Sequence, residues 1–299
     1  MRTNGAVLLV CVVIGVAGVL AKAESVSYAL SQWSCGVIIW RDGLPGNADE
    51  FAVRLSEAAR TVFEFWGSTI PAVTNWPYDL DEALHIYDPA IGLERAIPPL
   101  LWGDREILPV VVFAFPNEDG MRSALGETGL FGATFSAFPM GDVFPNAEPW
   151  FWEVGTGYRN VICPSTAEEE TLIHELAHWF TYQWCYPRGI VPYHLPSYII
   201  EGIAQLTSAV VRDDTSMIFD RLGAVSWATK NCLTGSIQGV MRYAVGESLV
   251  EYLVDALGHE GFLNSLREWS MRAWFLIDTH EDDWRTSLGL PPECSIESE

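Results

Sequence analysis

Residues 171–180 read Thr-Leu-Ile-His-Glu-Leu-Ala-His-Trp-Phe. In a helix, residues four apart stand one above the other on the same face, so His174 and His178 can present two imidazoles to a single ion. Glu175 lies about 100° further round the helix, close enough to touch a water on that ion without ligating it. Leu172, Ile173, Leu176, Ala177 and Phe180 make the surround almost wholly apolar. Two histidines and a carboxylate buried in such a surround are unfavourable unless a cation compensates them. Ser165 and Thr166, followed by Glu168 and Glu169, form overlapping capping boxes that predict where this helix opens. It is expected to run to about Trp184, with Pro187 and Gly189 ending it.

A catalytic zinc takes three protein ligands and keeps one position open. The third is expected from Ser-Tyr-Ile-Ile-Glu-Gly-Ile-Ala (197–204), in a second helix predicted over 197–211. Its Glu201 stands among Ile199, Ile200 and Ile203, badly placed for solvent and well placed for a metal. Gly202 beside it removes a side chain where two helices must approach closely. The extended HExxHxxGxxH arrangement is excluded, because Trp184 holds the place of its third histidine and Thr181 that of its glycine. His194, in the loop between the helices, could ligate, line the cleft or face water. His85, His259 and His280 have no partner pattern and read as structural histidines.

Outward from this pair of helices, the chain divides by pattern. Before Ser165 it reads as mixed α and β: strands at 36–40, 83–87, 108–115, 131–138 and 158–163, and helices at 48–66 and 118–125. In the first of these helices Phe51, Leu55, Ala58, Ala59, Val62, Phe63 and Trp66 recur at helical spacing. The stretch 70–102 is too rich in proline to assign. Beyond the two motif helices, further helices are predicted at 240–257, 259–273 and about 280–288. The expected fold is α+β, a mixed sheet followed by a mainly helical region. Residues 24–165 form its α/β part and 166–299 its helical part, folding as one cooperative unit because nothing linker-like separates them.

Composition narrows the function classes. The 299 residues hold 39 Asp+Glu against 17 Lys+Arg, for a formal charge of −22, and Lys22 and Lys230 are the only lysines. No basic stripe exists to displace counterions from phosphates, so nucleic acid is not an expected partner. An acidic membrane surface would repel the chain. Thirteen Trp, 14 Phe and 10 Tyr exclude disorder for the bulk of it.

Residues 1–23 read as a signal peptide: Arg2, an uncharged apolar run over 5–21, then Ala21-Lys22-Ala23 as a small-x-small cleavage site. Cleavage after Ala23 would give a secreted or extracytoplasmic protein with no stable membrane insertion. An uncleaved N-terminal anchor is the alternative. Export permits disulfides. Beyond Cys11 in the leader stand Cys35, Cys163, Cys185, Cys232 and Cys294, an odd number that leaves at least one thiol free. Cys163 and Cys185, either side of the first motif helix, are one candidate bridge.

His-Glu-Leu-Ala-His (174–178) followed by Ser-Tyr-Ile-Ile-Glu-Gly-Ile-Ala resembles the gluzincin group of zinc metallopeptidases. The nearest pattern is the small peptidase-MA-like type, which also has a later segment like Tyr-Ala-Val-Gly-Glu-Ser-Leu-Val-Glu-Tyr-Leu (243–253). The similarity of pattern spans roughly residues 110–290. The resemblance implies a zincin-like fold, one zinc ion held by His174, His178 and Glu201, and Glu175 as the catalytic carboxylate. It also implies Tyr243 as the hydroxyl that steadies the oxyanion, with a peptide or protein as substrate. An extended peptide would pair with an edge strand beside the active helix, for which 132–138 and 158–163 are candidates. One departure from the pattern is Gln205, where some members carry an acidic residue. Its carbonyl can still accept an imidazole N–H, more weakly than a carboxylate would.

Two other classes compete. One is a gluzincin-like scaffold that binds zinc and a protein partner with little hydrolysis. The other is a secreted binding module whose ligand surface is built from Trp33, Trp40, Trp66, Trp76, Trp102, Trp150 and Trp152. Nothing in the sequence sets the oligomeric state.

Overall fold

The computed structural model describes residues 28–41, 44–68, 100–102, 105–107, 110–126, 132–135, 160–185, 194–212, 214–233, 237 and 239–294. The signal-peptide stretch, the predicted strand at 83–87 and His85 lie outside them.

Five strands make one mixed sheet: β1 (Tyr28–Trp33), β2 (Gly36–Arg41), β5 (Val110–Phe115), β7 (Asn160–Pro164) and β6 (Ala133–Phe135), in that spatial order. β2, β5 and β7 run parallel, with Gly36 opposite Val110 and Val111 opposite Asn160. β1 and β6 are antiparallel edges, β6 registering Ala133 on Ile162. β3 (Leu100–Trp102) and β4 (Arg105–Ile107) form a separate two-stranded hairpin in the proline-rich stretch. The central strands are apolar without alternation because both faces are covered. Ile38, Trp40, Val112, Ala114 and Val161 face the main core. Ile39, Phe113, Phe115 and Ile162 are buried on the other side, where α2 (Glu118–Leu125) packs along β5 and β7.

α1 (Ala48–Phe65) buries Phe51, Leu55, Ala58, Ala59, Val62 and Phe63, the predicted 3.6-residue face. That face meets α3 (Glu169–Cys185): Phe63 sits edge-on to Trp179 and Phe180, with centroids 5.6 and 5.3 Å away. Trp66 stacks on Phe180 and on Phe262 and donates its indole N–H to Thr207 Oγ1 at 3.0 Å. One buried core therefore runs through both parts of the chain.

The helical part continues with α4 (Ser197–Ser208), a 3-10 turn (Ala209–Val211), α5 (Asp214–Ala228), α6 (Met241–Met271) and α7 (Ala273–Ser287). α6 is broken at Gly258, whose φ of 70° only glycine adopts readily, so the predicted division between 257 and 259 is present. α7 starts well before the predicted residue 280, directly after a non-helical Arg272. No helix among the described residues is long and apolar enough to cross a membrane.

Two expectations are corrected. Ser165 and Thr166 do not cap α3, which begins at Glu169 with Leu172 N–H bonded to the Glu168 carbonyl. Ser165 instead extends β7: its N–H donates to Phe115 O and its hydroxyl to Pro116 O. The Arg54 guanidinium binds the carbonyls of Ser165 and Ala167, holding the turn that aims α3 across the core. Cys163 and Cys185 are not bridged to each other, and both, like Cys35, are buried. α3 separates them: its 17 residues at about 1.5 Å each span roughly 25 Å, whereas bridged Cα atoms lie within about 7 Å.

The disulfide present joins Cys232 and Cys294, Cα atoms 5.5 Å apart, and ties the end of the chain to the loop after α5. Buried Arg285 reinforces this tie by donating to the carbonyls of Ala228, Asn231 and Pro291. With a sequence separation of 62, the crosslink is expected to contribute about 2–4 kcal/mol. Cys232→Ser should lower the thermal midpoint accordingly, and an unchanged midpoint would show that the crosslink constrains nothing.

Candidate metal centre

α3 is buried on nearly every side because α1, α4, β6, β7 and α6 all pack on it. His174 and His178 stand one turn apart on the flank facing α4, their rings perpendicular with centroids 4.8 Å apart. The two Nε2 atoms are 3.2 Å from each other. From α4, Glu201 Oε2 lies 3.5 Å from His174 Nε2 and 3.4 Å from His178 Nε2. All three side chains are largely withdrawn from water.

This triangle can be tested against an ion. Zinc–nitrogen and zinc–oxygen bonds of about 2.0–2.1 Å at tetrahedral angles place donor atoms about 3.3–3.4 Å apart. The observed edges of 3.2, 3.4 and 3.5 Å match that spacing. The protonation pattern agrees. Gln205 Oε1 lies 3.0 Å from His174 Nδ1, and a carbonyl oxygen can only accept, so Nδ1 carries the proton. His174 Nε2 is then a lone pair, directed at a carboxylate oxygen and a second ring nitrogen. Two ring nitrogens and a carboxylate oxygen thus converge on one point, an arrangement that a cation can satisfy and that apolar packing cannot.

The helices that bring these atoms together touch backbone to backbone. A Cβ on Gly202 would lie 2.2 Å from Gly246 O, and one on Gly246 would lie 2.0 Å from Tyr198 O. α4 therefore presses on α6 next to Glu201, as the glycine at 202 suggested. Behind the site, buried Arg212 pairs with Asp220 at 2.5 Å and with Glu247, and donates to the Gln205 carbonyl at 3.0 Å. With Glu170 3.5 Å from its Nε, one guanidinium draws α3, α4, α5 and α6 around the residue that orients His174.

Glu175 is buried, and Gly132 at the head of β6 packs on its carboxylate: a Cβ there would come within 3.0 Å of Oε1. Tyr243, in the first turn of α6, has its ring centroid 6.2 Å from that of His174. Burial raises its hydroxyl above an ordinary phenol, so the group stays protonated at neutral pH. The hydroxyl oxygen accepts from Arg242 Nη2 at 2.8 Å, and the same nitrogen is 3.2 Å from Glu201 Oε1.

Among the described residues the other histidines do not join the cluster. His194 is exposed. His259 sits edge-on to Phe65 and Trp66, and His280 edge-on to Tyr252 and Trp269. A second group, Cys232, Glu281 and Cys294, has its sulfurs joined to each other, and Glu281 accepts the Leu233 N–H. Trp40 and Trp66 are buried in the core, and Trp33, largely buried, lines a cavity with Ser34, Ala52 and Ser56 away from the cluster. Trp76, Trp150 and Trp152 lie outside the described residues, as does the side chain of Trp102. Gly132, Arg212, Arg242 and Gly246 escaped the reading of the sequence. For Arg242 a signal existed: a cation in the first turn of a helix opposes the helix dipole and calls for a nearby anion. No protein-family model matches the chain, and no curated protein sequence matches it either.

Proposed function

We propose that the protein is an exported, zinc-dependent peptidase of the gluzincin type with a zincin-like catalytic domain. The observation that carries the reading is the triangle of His174 Nε2, His178 Nε2 and Glu201 Oε2, with its tetrahedral edge lengths and a His174 tautomer fixed by Gln205. A zinc ion held there would supply the Lewis acid that activates water and polarises a carbonyl. The chain's own residues do the rest.

Glu175, next to the first ligand on α3, takes the proton of the attacking water and returns it to the leaving amine. Tyr243 donates its hydroxyl to the oxygen that gains charge. Among the described residues β6 is the last strand of the sheet, and it begins at the Glu175 carboxylate, so an extended peptide adding to that edge brings a scissile bond to the catalytic face. The absence of a side chain at Gly132 leaves room for the Glu175 carboxylate itself.

The test is metal content and cleavage of a mixed peptide library by wild type and Glu175→Gln. Zinc bound by both, with chelator-sensitive cleavage reduced about 10²–10⁴-fold in Glu175→Gln, is the expected result. Zinc in both with cleavage by neither would leave only the scaffold reading, and a protein that takes up no zinc would end both.

A further inference from the structure

We infer that Arg242 is the positioning residue of this centre, one guanidinium nitrogen holding Glu201 to single-oxygen ligation while orienting the Tyr243 hydroxyl. The inference rests on the metal reading above. The two oxygens of Glu201 face different partners: Oε2 the pair of imidazoles at 3.4 and 3.5 Å, Oε1 the Arg242 Nη2 at 3.2 Å. A carboxylate with both oxygens free can turn and chelate through both. With Oε1 held in an ion pair with the guanidinium it offers one, which keeps the ligand set at three and a position open.

The same Nη2 donates to the Tyr243 hydroxyl 2.8 Å away. That contact uses a lone pair of the hydroxyl oxygen and leaves its proton free to point into the cleft. The guanidinium carbon lies 4.9 Å from the Tyr243 ring centroid, so the ring as well as the hydroxyl is gripped. Distance along the arm is preset, because Arg242 and Glu201 ride on the two helices locked by Gly202 and Gly246. A lysine could reach Glu201 as a point charge but lacks the planar group that lies against the Tyr243 ring. An arginine in the first turn of a helix is otherwise poorly placed, and Glu201 accounts for its presence.

Cobalt replaces zinc in such sites and reports coordination number through its visible bands, which are intense for four ligands and weaker for five. The full chain is loaded with cobalt as wild type, Arg242→Met, Arg242→Lys and Tyr243→Phe. Weakened bands are expected in Arg242→Met only, with the wild-type spectrum returning in Arg242→Lys and kept in Tyr243→Phe. Turnover of the zinc forms is expected to fall about 10–100-fold in Arg242→Met. Adding Tyr243→Phe to that variant should cost little more, because the two residues act as a unit. A wild-type spectrum in Arg242→Met, or independent losses in the double variant, overturns the inference while the metal reading stands. A wild-type chain that binds no cobalt removes both.

Discussion

Adding zinc to the metal-free protein is expected to raise its unfolding midpoint by about 10 °C, and the rise is expected to vanish in His178→Ala and Glu201→Ala. A ligand that binds only the native state adds about 4 kcal/mol when its free concentration is a thousand times Kd, and a chain of this size gains roughly 2–4 °C per kcal/mol. The unfolded chain offers no competing three-ligand site, because His178 and Glu201 come from separate helices and meet only through the packing of α4 on α3. Removing one of three ligands leaves a pair too poor in donors to compete at that concentration. Protons compete with metal for the imidazoles, so the rise should shrink on acidification. Differential scanning calorimetry with and without zinc decides it. Equal midpoints in wild type at saturating zinc would remove the metal from the protein's chemistry.

Gly246→Ala and Gly202→Ala are expected to destabilise the fold strongly and to weaken zinc binding together. An alanine in a helix is ordinarily better than a glycine by about 0.5–1 kcal/mol, so the sign of the effect is itself informative. At these two positions the added carbon meets backbone: Tyr198 O at 2.0 Å from one, Gly246 O at 2.2 Å from the other. A side chain could rotate away, but a carbonyl inside a helix cannot, so the helices must part. Overpacking of this kind costs about 1–3 kcal/mol and more where nothing can yield, as here. Separation of α4 from α6 carries Glu201 away from Arg242 and Tyr243, which links stability to metal affinity. Gly120→Ala in α2 is the control, since its added carbon meets only Asn117 and Pro116 atoms at 3.5 and 3.7 Å. Thermal midpoints and zinc titrations of the three variants test the claim. If Gly246→Ala were as stable as wild type, the close approach would be wrong.

What was legible in the sequence follows from periodicity and ligand chemistry. The face of α1 and the run of β5 declared themselves because burial repeats at 3.6 residues in one and is continuous in the other. His174, His178 and Glu201 stood out because each is an ionisable group set among residues that exclude water. Gly202 signalled the helix contact, but its partner Gly246 belongs to a different segment and no local pattern joins the two. α5 was missed because Gly223, Val225 and Ser226 dilute its helical signal, and its partner surface on α6 lies downstream. The capping boxes at Ser165 and Thr166 failed because Arg54, more than a hundred residues away, claims the carbonyls of that turn. Disulfide pairing was open for the same reason: the arrival of residue 294 beside residue 232 is a tertiary event.

Three arginines of this strongly acidic chain share one role. Arg54 grips a turn, Arg212 stands among four helices and Arg285 closes the C-terminal tail, each turned inward onto oxygen. Added salt screens the repulsion between copies of so acidic a chain, while dissolved ions have little access to the shielded pairs that bind one helix to the next.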